Sequence, residues 1–243
     1  MLRRKILHTF NRVVLKLSGE ALAGNKGFGF DDEVIEKICK NIKKVYDMGI
    51  QIAIVVGGGN FWRGRSTTKI ERAQSDTIGM LGTVMNGLRV QASLEELDLD
   101  CRVMTAISMP EVGEPYIRRK AISHLNKGRI VIFTAGTGLP YFSTDTTAAL
   151  RALEIQSDII LLGKKGTDAI YDKDPNKFED AKKYETLSYK EILAKDLKIM
   201  DSTATSLCMD NNMPLLIFGI DDPDNMVKIF NGEKLGTTVK ETF

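Results

Sequence analysis

Lys16 is the residue whose position in this sequence points most directly to chemistry. It lies near the end of the apolar run Arg12–Leu17, and that run is followed by Ser18 and Gly19. An ammonium group in such a run needs a counter-charge, because an unpaired charge is costly to bury. A cation at this place can neutralise the oxygens of a phosphoryl group in transfer, a reaction to which the protein contributes mainly positioning and charge. The structural alternative is a lysine that extends to the sheet edge and reaches water.

Three consecutive glycines, Gly57–Gly59, follow a second apolar run, Ile50–Val56, and Arg63 comes shortly after them. Glycines at the carboxyl end of a buried strand let backbone N–H groups approach an anion without interference from a Cβ atom. An arginine fork suits phosphate oxygens. The same segment is also typical of a tight turn from strand to helix with a solvated arginine, and the segment alone does not separate the two interpretations.

A third apolar run, Arg129–Thr134, leads into Ala135–Gly138 and then into a segment rich in hydroxyl groups. The helix expected after this segment would point its positive N-terminus at the loop, which favours an anion there. Asp145, near the start of that helix, could orient Lys16 or a metal ion. Ser, Thr and Asp are also ordinary capping residues, but the glycines that precede them favour a functional role.

Two further segments carry weaker signals. Asp76 precedes a long predicted helix, and its spacing alone favours an N-cap. The segment Thr167–Pro175 is typical of a polar hairpin, in which Tyr171 could flank an adenine and Asp174 could contact a ribose. For this segment a solvated turn is the default interpretation.

Strands and helices alternate along the chain, and this alternation must position the residues named above. The order predicts an α/β fold with a mainly parallel sheet covered by helices on both faces. Ligands bind at the carboxyl edge of such sheets. Strands are predicted at 12–17, 50–56, 101–105, 129–134, 158–162, 214–219 and 236–240, and helices at 31–48, 76–97, 116–126, 145–155, 188–195, 201–212 and 223–231.

The composition excludes several functional classes. The chain has 243 residues, 34 basic against 32 acidic side chains, and no long basic run, so a nucleic-acid coat is not expected. Its three cysteines have neither CxxC nor metal-ligand spacing, which predicts a reducing, cytoplasmic setting. The basic start lacks the apolar stretch of a signal peptide, and no segment approaches the roughly 20 apolar residues of a membrane span. The P-loop, GxGxxG and HExxH motifs are also absent.

Taken together, the motifs resemble the bacterial-type UMP kinases of the amino acid kinase family. The resemblance runs in order from about residue 11 to 239, and the ordered set is far more specific than any one segment. The matching segments are Lys16–Leu22, Gly27–Gly29, Gly57–Asn60 with Arg63, Gly79–Leu81, Thr83–Leu88, Ala135–Gly138, Thr144–Asp145, Asp174–Pro175, Met200–Asp201, Gly232–Lys234 and Gly236–Thr237.

This resemblance implies an αβα sandwich that forms a single domain over residues 1–243. It implies a UMP-binding amino-terminal lobe over about 1–165 and an ATP-binding carboxyl-terminal lobe over about 166–243. The implied reaction converts ATP and UMP to ADP and UDP in pyrimidine nucleotide biosynthesis, with Mg²⁺ accompanying ATP. Members of the family form homohexamers, often activated by GTP and inhibited by UTP, so the same assembly and effectors are expected here.

The resemblance also implies a role for each matching residue. Lys16 and Asp145 would be catalytic, and for Asp76 the ligand role overrides the capping interpretation. No protein side chain is assigned to a metal. The implied ATP contacts are Lys16, Leu17, Ser18, Gly19, Gly59, Arg63, Lys165, Tyr171 and Asp174, and the implied UMP contacts are Gly58, Asp76, Thr137, Gly138, Leu139, Pro140, Tyr141, Phe142, Ser143 and Thr144.

The chain departs from the family pattern at four of its positions. Gly163 stands where the family usually has a lysine, and Lys165 stands where a threonine contacts ATP. Leu139 replaces a frequent asparagine of the UMP loop, and Gln91 replaces one arginine linked to GTP sensing. Rival interpretations are a carbamate, glutamate-derivative or aspartate kinase of the same family, a non-catalytic oxoanion binder similar to molybdenum storage proteins, or a nucleotide-sensing regulator without turnover.

Overall fold

The structure is a computed structural model that describes residues 10–63, 69–197 and 199–241. The basic segment at 1–9, on which part of the expected cytoplasmic location rests, lies outside these residues.

The strands are β1 (Arg12–Leu17), β2 (Gln51–Val56), β3 (Cys101–Thr105), β4 (Glu114–Pro115), β5 (Ile130–Thr134), β6 (Ile159–Lys164), β7 (Ile170–Tyr171), β8 (Lys183–Tyr184), β9 (Thr186–Leu187), β10 (Leu215–Gly219) and β11 (Thr237–Val239). The helices are α1 (Gly19–Ala23), α2 (Asp32–Asp47), α3 (Arg72–Glu95), α4 (Arg118–Asn126), α5 (Thr144–Glu154), α6 (Tyr189–Ala194), α7 (Ser202–Asp210) and α8 (Asp224–Phe230).

The main sheet has the strand order β4-β3-β5-β2-β1-β6-β10-β11-β9. All neighbours in it run parallel except β10 and β11. The predicted α/β fold with a mainly parallel sheet is therefore confirmed. Strand β1 lies in the middle, with Lys16 in register with Val55 of β2 and Leu162 of β6. This register brings the ends of three strands, and the glycines that follow β1 and β2, to one edge of the sheet.

Helices cover both faces of the sheet, because successive side chains of each strand point to opposite sides. On one face, Val13, Leu15 and Leu17 of β1 belong to a buried cluster with side chains of α1, α2, α3 and α8. On the other face, Val14 belongs to a cluster with Ala148 and neighbouring side chains of α5, together with residues of α4, α6 and α7. The arrangement is the predicted αβα sandwich.

Two segments differ from their predictions, and α1, β4 and β9 were not predicted. Helix α3 begins at Arg72, so Asp76 lies inside the helix, and its predicted role as N-cap is wrong. The residue at the N-cap is Glu71, whose side chain makes no capping hydrogen bond, so the sequence carries no capping signal there. The polar hairpin is also longer than the predicted segment 167–175, since β7 pairs with β8, where Ile170 is in register with Tyr184.

The predicted lobe boundary near residue 165 falls at the end of β6. The sheet continues from β6 to β10, where Gly219 is in register with Lys164. Both predicted lobes therefore share one sheet. Their separate assignment to UMP and ATP stays a prediction of the sequence.

The three cysteines, Cys39, Cys101 and Cys208, are free and buried. Burial raises the pKa of each thiol to about 12, so these groups stay protonated and belong to the core. Among the described residues, no helix combines the length and apolar composition needed to cross a membrane.

Candidate active site

Lys16 and Asp145 form an ion pair at the carboxyl edge of the sheet. The Lys16 Nζ atom is 2.9 Å from Asp145 Oδ1, and the two side chains are 11% and 19% exposed. The counter-charge that the apolar strand requires is thus supplied by the first turn of α5. Because both groups are largely withdrawn from water, the pair fixes the direction of the ammonium group.

The start of α5 presents Asp145 in the first turn of a helix that is capped by a side chain. Ser143 is the N-cap, and its hydroxyl oxygen accepts a hydrogen bond of 3.0 Å from the Thr146 backbone N–H. Thr147 donates its hydroxyl proton to the Ser143 carbonyl oxygen over 2.9 Å. The helix N-terminus carries a partial positive charge, which adds to the charge of Lys16 where an anion would lie.

The turns after β1 and β2 are in direct contact. The Gly57 backbone N–H donates to the Leu17 carbonyl oxygen at 2.8 Å. A Cβ atom on Gly19 would lie only 2.7 Å from the backbone nitrogens of both Gly59 and Asn60, so only glycine allows this approach. The two strand ends therefore form one glycine-lined surface beside Lys16.

A pair of buried amides holds the triple-glycine turn in place. Asn86 of α3 donates to the Gly57 carbonyl oxygen at 2.5 Å and to Asn60 Oδ1 at 2.7 Å. Asn60 in turn donates to the Gly29 carbonyl oxygen at 2.8 Å. Since both asparagines are buried, the turn, α3 and the 24–30 loop are linked by bonds that water does not compete for.

A first cavity of about 340 Å³ opens beside this surface. It brings together six of the predicted UMP residues and two of the predicted ATP residues. Thr137, Gly138, Pro140 and Tyr141 of the predicted UMP loop do not line it. The predicted residues that do are Gly58, Gly59, Arg63, Asp76, Leu139, Phe142, Ser143 and Thr144.

Arg63 lies at the mouth of this cavity with Glu20 of α1. Its guanidinium NH2 nitrogen is 2.5 Å from Glu20 Oε1, and the two side chains are 63% and 49% exposed. An exposed pair of this kind exchanges its partner at little cost. The predicted contact of Arg63 with ATP stays a prediction.

A second cavity, of about 730 Å³, is lined by Tyr171 and Asp174 of the predicted ATP set and by Lys164 at the end of β6. The Lys164 ammonium donates to the Ile199 carbonyl oxygen at 2.7 Å. Burial lowers the pKa of Lys164, an effect that the Asp145 charge opposes and the Lys16 charge reinforces. Lys164 therefore lines the second cavity and is near enough to both charges of the ion pair to be influenced by them.

Lys165 lies elsewhere, since its ammonium contacts the Gly24 carbonyl oxygen and it does not line the second cavity. Its predicted contact with ATP stays a prediction. Gly163 has a structural explanation, because a Cβ atom there would lie 3.2 Å from Ile220 side-chain atoms. In this chain, Ile220 occupies the space beside β6 that a side chain at position 163 would need.

Several residues of the site have no role predicted from the sequence. Arg72 and Glu20 line the first cavity, and Lys164 lines the second. Asp201, the N-cap of α7, accepts hydrogen bonds from the hydroxyls of Ser143 and, at 3.1 Å, Thr146. Only the Arg72–Asp76 pair had a usable signal in the sequence, because residues four apart on a helix are neighbours and opposite charges at that spacing predict an ion pair.

Within the ranges that the structure describes, no group of three or more His, Cys, Asp or Glu side chains could hold a metal ion. A Mg²⁺ ion in a phosphotransferase needs only one or two carboxylates, since substrate phosphates and water complete its shell. Asp145 and Glu20 are carboxylates beside the glycine surface. This donor set fits a magnesium ion that enters with a nucleotide and not one held by the protein alone.

Comparison with known proteins finds relatives over nearly the whole chain. The model of the amino acid kinase family matches residues 11–219. A curated protein of Limosilactobacillus reuteri named uridylate kinase is 55% identical over 233 residues, which covers 95% of this chain and 97% of that protein.

Two solved structures are similar along their full length. UMP kinase from Bacillus anthracis has a TM-score of 0.93 at 39% identity and covers 96% of this chain, which in turn covers 97% of that one. UMP kinase from Ureaplasma parvum has a TM-score of 0.90 at 36% identity, with 95% and 99% covered.

Proposed function

The chain belongs to the amino acid kinase family, and from this premise we infer that it is a UMP kinase. It transfers the γ-phosphoryl group of ATP to UMP and releases UDP and ADP. The observation that carries this function is the Lys16–Asp145 pair, in which Asp145 directly follows Thr144 of the first cavity's lining, in a chain similar throughout to uridylate kinases. The pathway implied by this activity is pyrimidine nucleotide synthesis.

We propose that UMP occupies the first cavity. Its phosphate would lie against the Gly57–Gly59 turn and the N-terminus of α5, where backbone N–H groups attract negative charge, and Arg63 would face the ATP phosphates, as the sequence predicts. Its ribose and base would extend towards Asp76 and the 137–144 loop. The volume of about 340 Å³ is in the range of small-ligand sites.

We propose that ATP occupies the second cavity and directs its phosphates to the ion pair. Tyr171 and Asp174 line that cavity and are suited to the adenosine part, as the sequence predicts. Ser18 and Gly19 follow the end of β1, two and three residues after Lys16, so a terminal phosphate at the glycine surface would lie against them. Lys164 joins this set as a second cation on the path between the nucleoside and the phosphates.

The transfer needs no strong general base. A UMP phosphate oxygen is already ionised and attacks the γ-phosphorus in line, while the bond from that phosphorus to the ADP oxygen breaks. Lys16 donates hydrogen bonds to oxygens that gain charge, and Asp145 keeps its ammonium directed at them. Mg²⁺, which would be held by ATP phosphates with Asp145 or Glu20, supplies further charge neutralisation when it is bound.

The test is ADP release from ATP with a panel of acceptors. We expect ADP release to depend on UMP, with CMP, carbamate, acetylglutamate and aspartate giving at most a few per cent of that rate. A rate that is independent of UMP, or highest with a carboxylate, would overturn the assignment. The metal content of the same preparation is also measured. Stoichiometric bound metal together with no ADP release would identify an oxoanion-storage protein.

Asp76→Asn tests the UMP side of the site. We expect the KM for UMP to rise by about 10- to 100-fold, because a charge-assisted hydrogen bond to a ligand hydroxyl becomes a neutral one. The KM for ATP should change little, since Asp76 does not line the second cavity. An unchanged KM for UMP would restrict Asp76 to a structural role within α3.

A homo-oligomer is also proposed, with the predicted hexamer as its expected size. One side of α3 exposes the apolar side chains of Ile78, Leu81, Met85 and Leu88, at 36–46% of their surface. An apolar stripe of this kind on a helix marks an interaction surface. The expected effectors GTP and UTP and the cytoplasmic location stay predictions.

Leu81→Lys tests this interface. We expect the variant to sediment as a smaller species than the wild-type protein, because a charge would replace an apolar contact at the centre of the stripe. Analytical ultracentrifugation at matched concentration measures the change, with Lys190→Glu on the exposed surface of α6 as the control. A wild-type protein that sediments as a monomer would contradict the proposal.

A further inference from the structure

Arg72 holds the carboxylate of Asp76 from the preceding turn of α3. The Arg72 Nε atom is 2.8 Å from Asp76 Oδ1 and 2.8 Å from Oδ2. The Asp76 side chain is only 13% exposed, and both residues line the first cavity. Because little water reaches this carboxylate, its orientation is set by the groups that bond to it.

The same carboxylate also holds the 137–144 loop. The Tyr141 backbone N–H donates to Asp76 Oδ2 at 2.8 Å. Tyr141 has a φ of 72°, a left-handed conformation that side-chain-bearing residues rarely adopt. Such a conformation persists where surrounding contacts fix it, and the Arg72 guanidinium, 5.7 Å from the Tyr141 ring centroid, supplies another contact.

We propose that Arg72 is a positioning residue for the UMP site. It fixes the carboxylate of Asp76 and, through Asp76 and Tyr141, the loop that closes the cavity. The proposal rests on the proposed function, since it takes the first cavity as the UMP site. It implies that Arg72 acts on UMP affinity through Asp76 and not by a contact of its own.

A direct contact is the rival role for Arg72. Only its Nε atom bonds to Asp76, and the part of the chain that the structure describes offers no hydrogen-bond partner to its two terminal nitrogens. Those nitrogens could reach a ligand in the cavity. The two roles differ in one measurable respect, because a residue that acts only through Asp76 loses its effect once that carboxylate is gone.

Arg72→Met, Asp76→Asn and the double variant separate these roles by calorimetric titration with UMP. We expect Arg72→Met alone to raise the Kd for UMP by about 10- to 100-fold, with kcat and the KM for ATP little changed. In the Asp76→Asn background, Arg72→Met should alter the Kd for UMP by less than about threefold, since the effects of substituting two interacting residues are not additive. Arg72→Lys, which retains the charge and one bond, should recover part of the affinity.

Arg89→Gln is the matched control, because Arg89 lies on the same helix but does not line the cavity. Its guanidinium pairs with the Asp32 carboxylate, with 3.0 Å between Arg89 NH2 and Asp32 Oδ1. It should leave the Kd for UMP unchanged. An unchanged Kd in Arg72→Met, or an equal factor in both backgrounds, would overturn the proposal while UMP still binds to the wild-type protein. Absence of UMP binding to the wild-type protein would instead overturn the proposed function.

Discussion

Replacement of Lys16 by methionine lowers kcat by about 10³-fold, the loss typical of removing one preorganised donor from a site of developing charge. Methionine has a similar volume and suits the apolar strand β1, so packing is preserved. The Lys16 ammonium is the cation that the structure pairs with Asp145 at 2.9 Å, at the edge where strand ends and glycines converge. Steady-state kinetics with saturating ATP and UMP measure the change.

Two controls separate lost catalysis from lost folding. Lys190→Met removes an exposed lysine of α6, which pairs with Glu241, and should leave kcat unchanged. The double variant Lys16→Met with Asp145→Asn removes both charges, so its unfolding temperature should stay close to that of the wild-type protein. The single variant Lys16→Met should unfold at a lower temperature, because it leaves the largely buried Asp145 carboxylate without its counter-charge. A kcat within tenfold of the wild-type value in Lys16→Met would remove Lys16 from its catalytic role.

Replacement of Gly19 by alanine lowers kcat by about 10²-fold or more, because misplacing the reacting groups by about 1 Å has a cost of this order. The new Cβ atom would lie 2.7 Å from the backbone nitrogens of Gly59 and Asn60, a distance that real Cβ atoms do not adopt. The turns after β1 and β2 must then separate. The unfolding temperature should fall as well, since overpacking typically costs about 1–3 kcal/mol.

Gly232→Ala is the control for loss of a glycine as such. Gly232 has a φ of 90°, and no heavy atom of the described residues lies within 4 Å of the place that a Cβ atom would take. Alanine there carries backbone strain without a clash. We expect a small loss of stability and an unchanged kcat. If Gly19→Ala behaves in the same way, the contact between the two glycine turns is not needed for transfer.

Seven of the eleven described strands and the ion pair could be predicted from the sequence because their signals are local. A lysine inside an apolar run and an aspartate at a helix start each need a partner, and the parallel order of the strands places those partners at one edge. The fold class followed from the same alternation. The wide hairpin formed by β7 and β8 carried no local signal, since its two strands are only two residues long.

The parts that could not be predicted depend on tertiary contacts. The start of α3 has no capping side chain, so the sequence placed the beginning of the helix near Asp76, and the Arg72 contact was missed with it. Lys164, the last residue of β6, lines the second cavity, whereas Lys165, the next residue, contacts the Gly24 carbonyl oxygen. Nothing within the segment itself predicts that these two neighbouring lysines have such different surroundings.

The most direct test of the whole account is a crystal structure with UMP and a non-hydrolysable ATP analogue bound together. The account predicts that a UMP phosphate oxygen lies about 3.5 Å from the γ-phosphorus, a near-attack distance, with Lys16 Nζ bonded to the γ-phosphate and the Gly57–Gly59 turn beside UMP. Phosphates of the two nucleotides that lie at separate edges of the sheet, with Lys16 contacting neither, would contradict it.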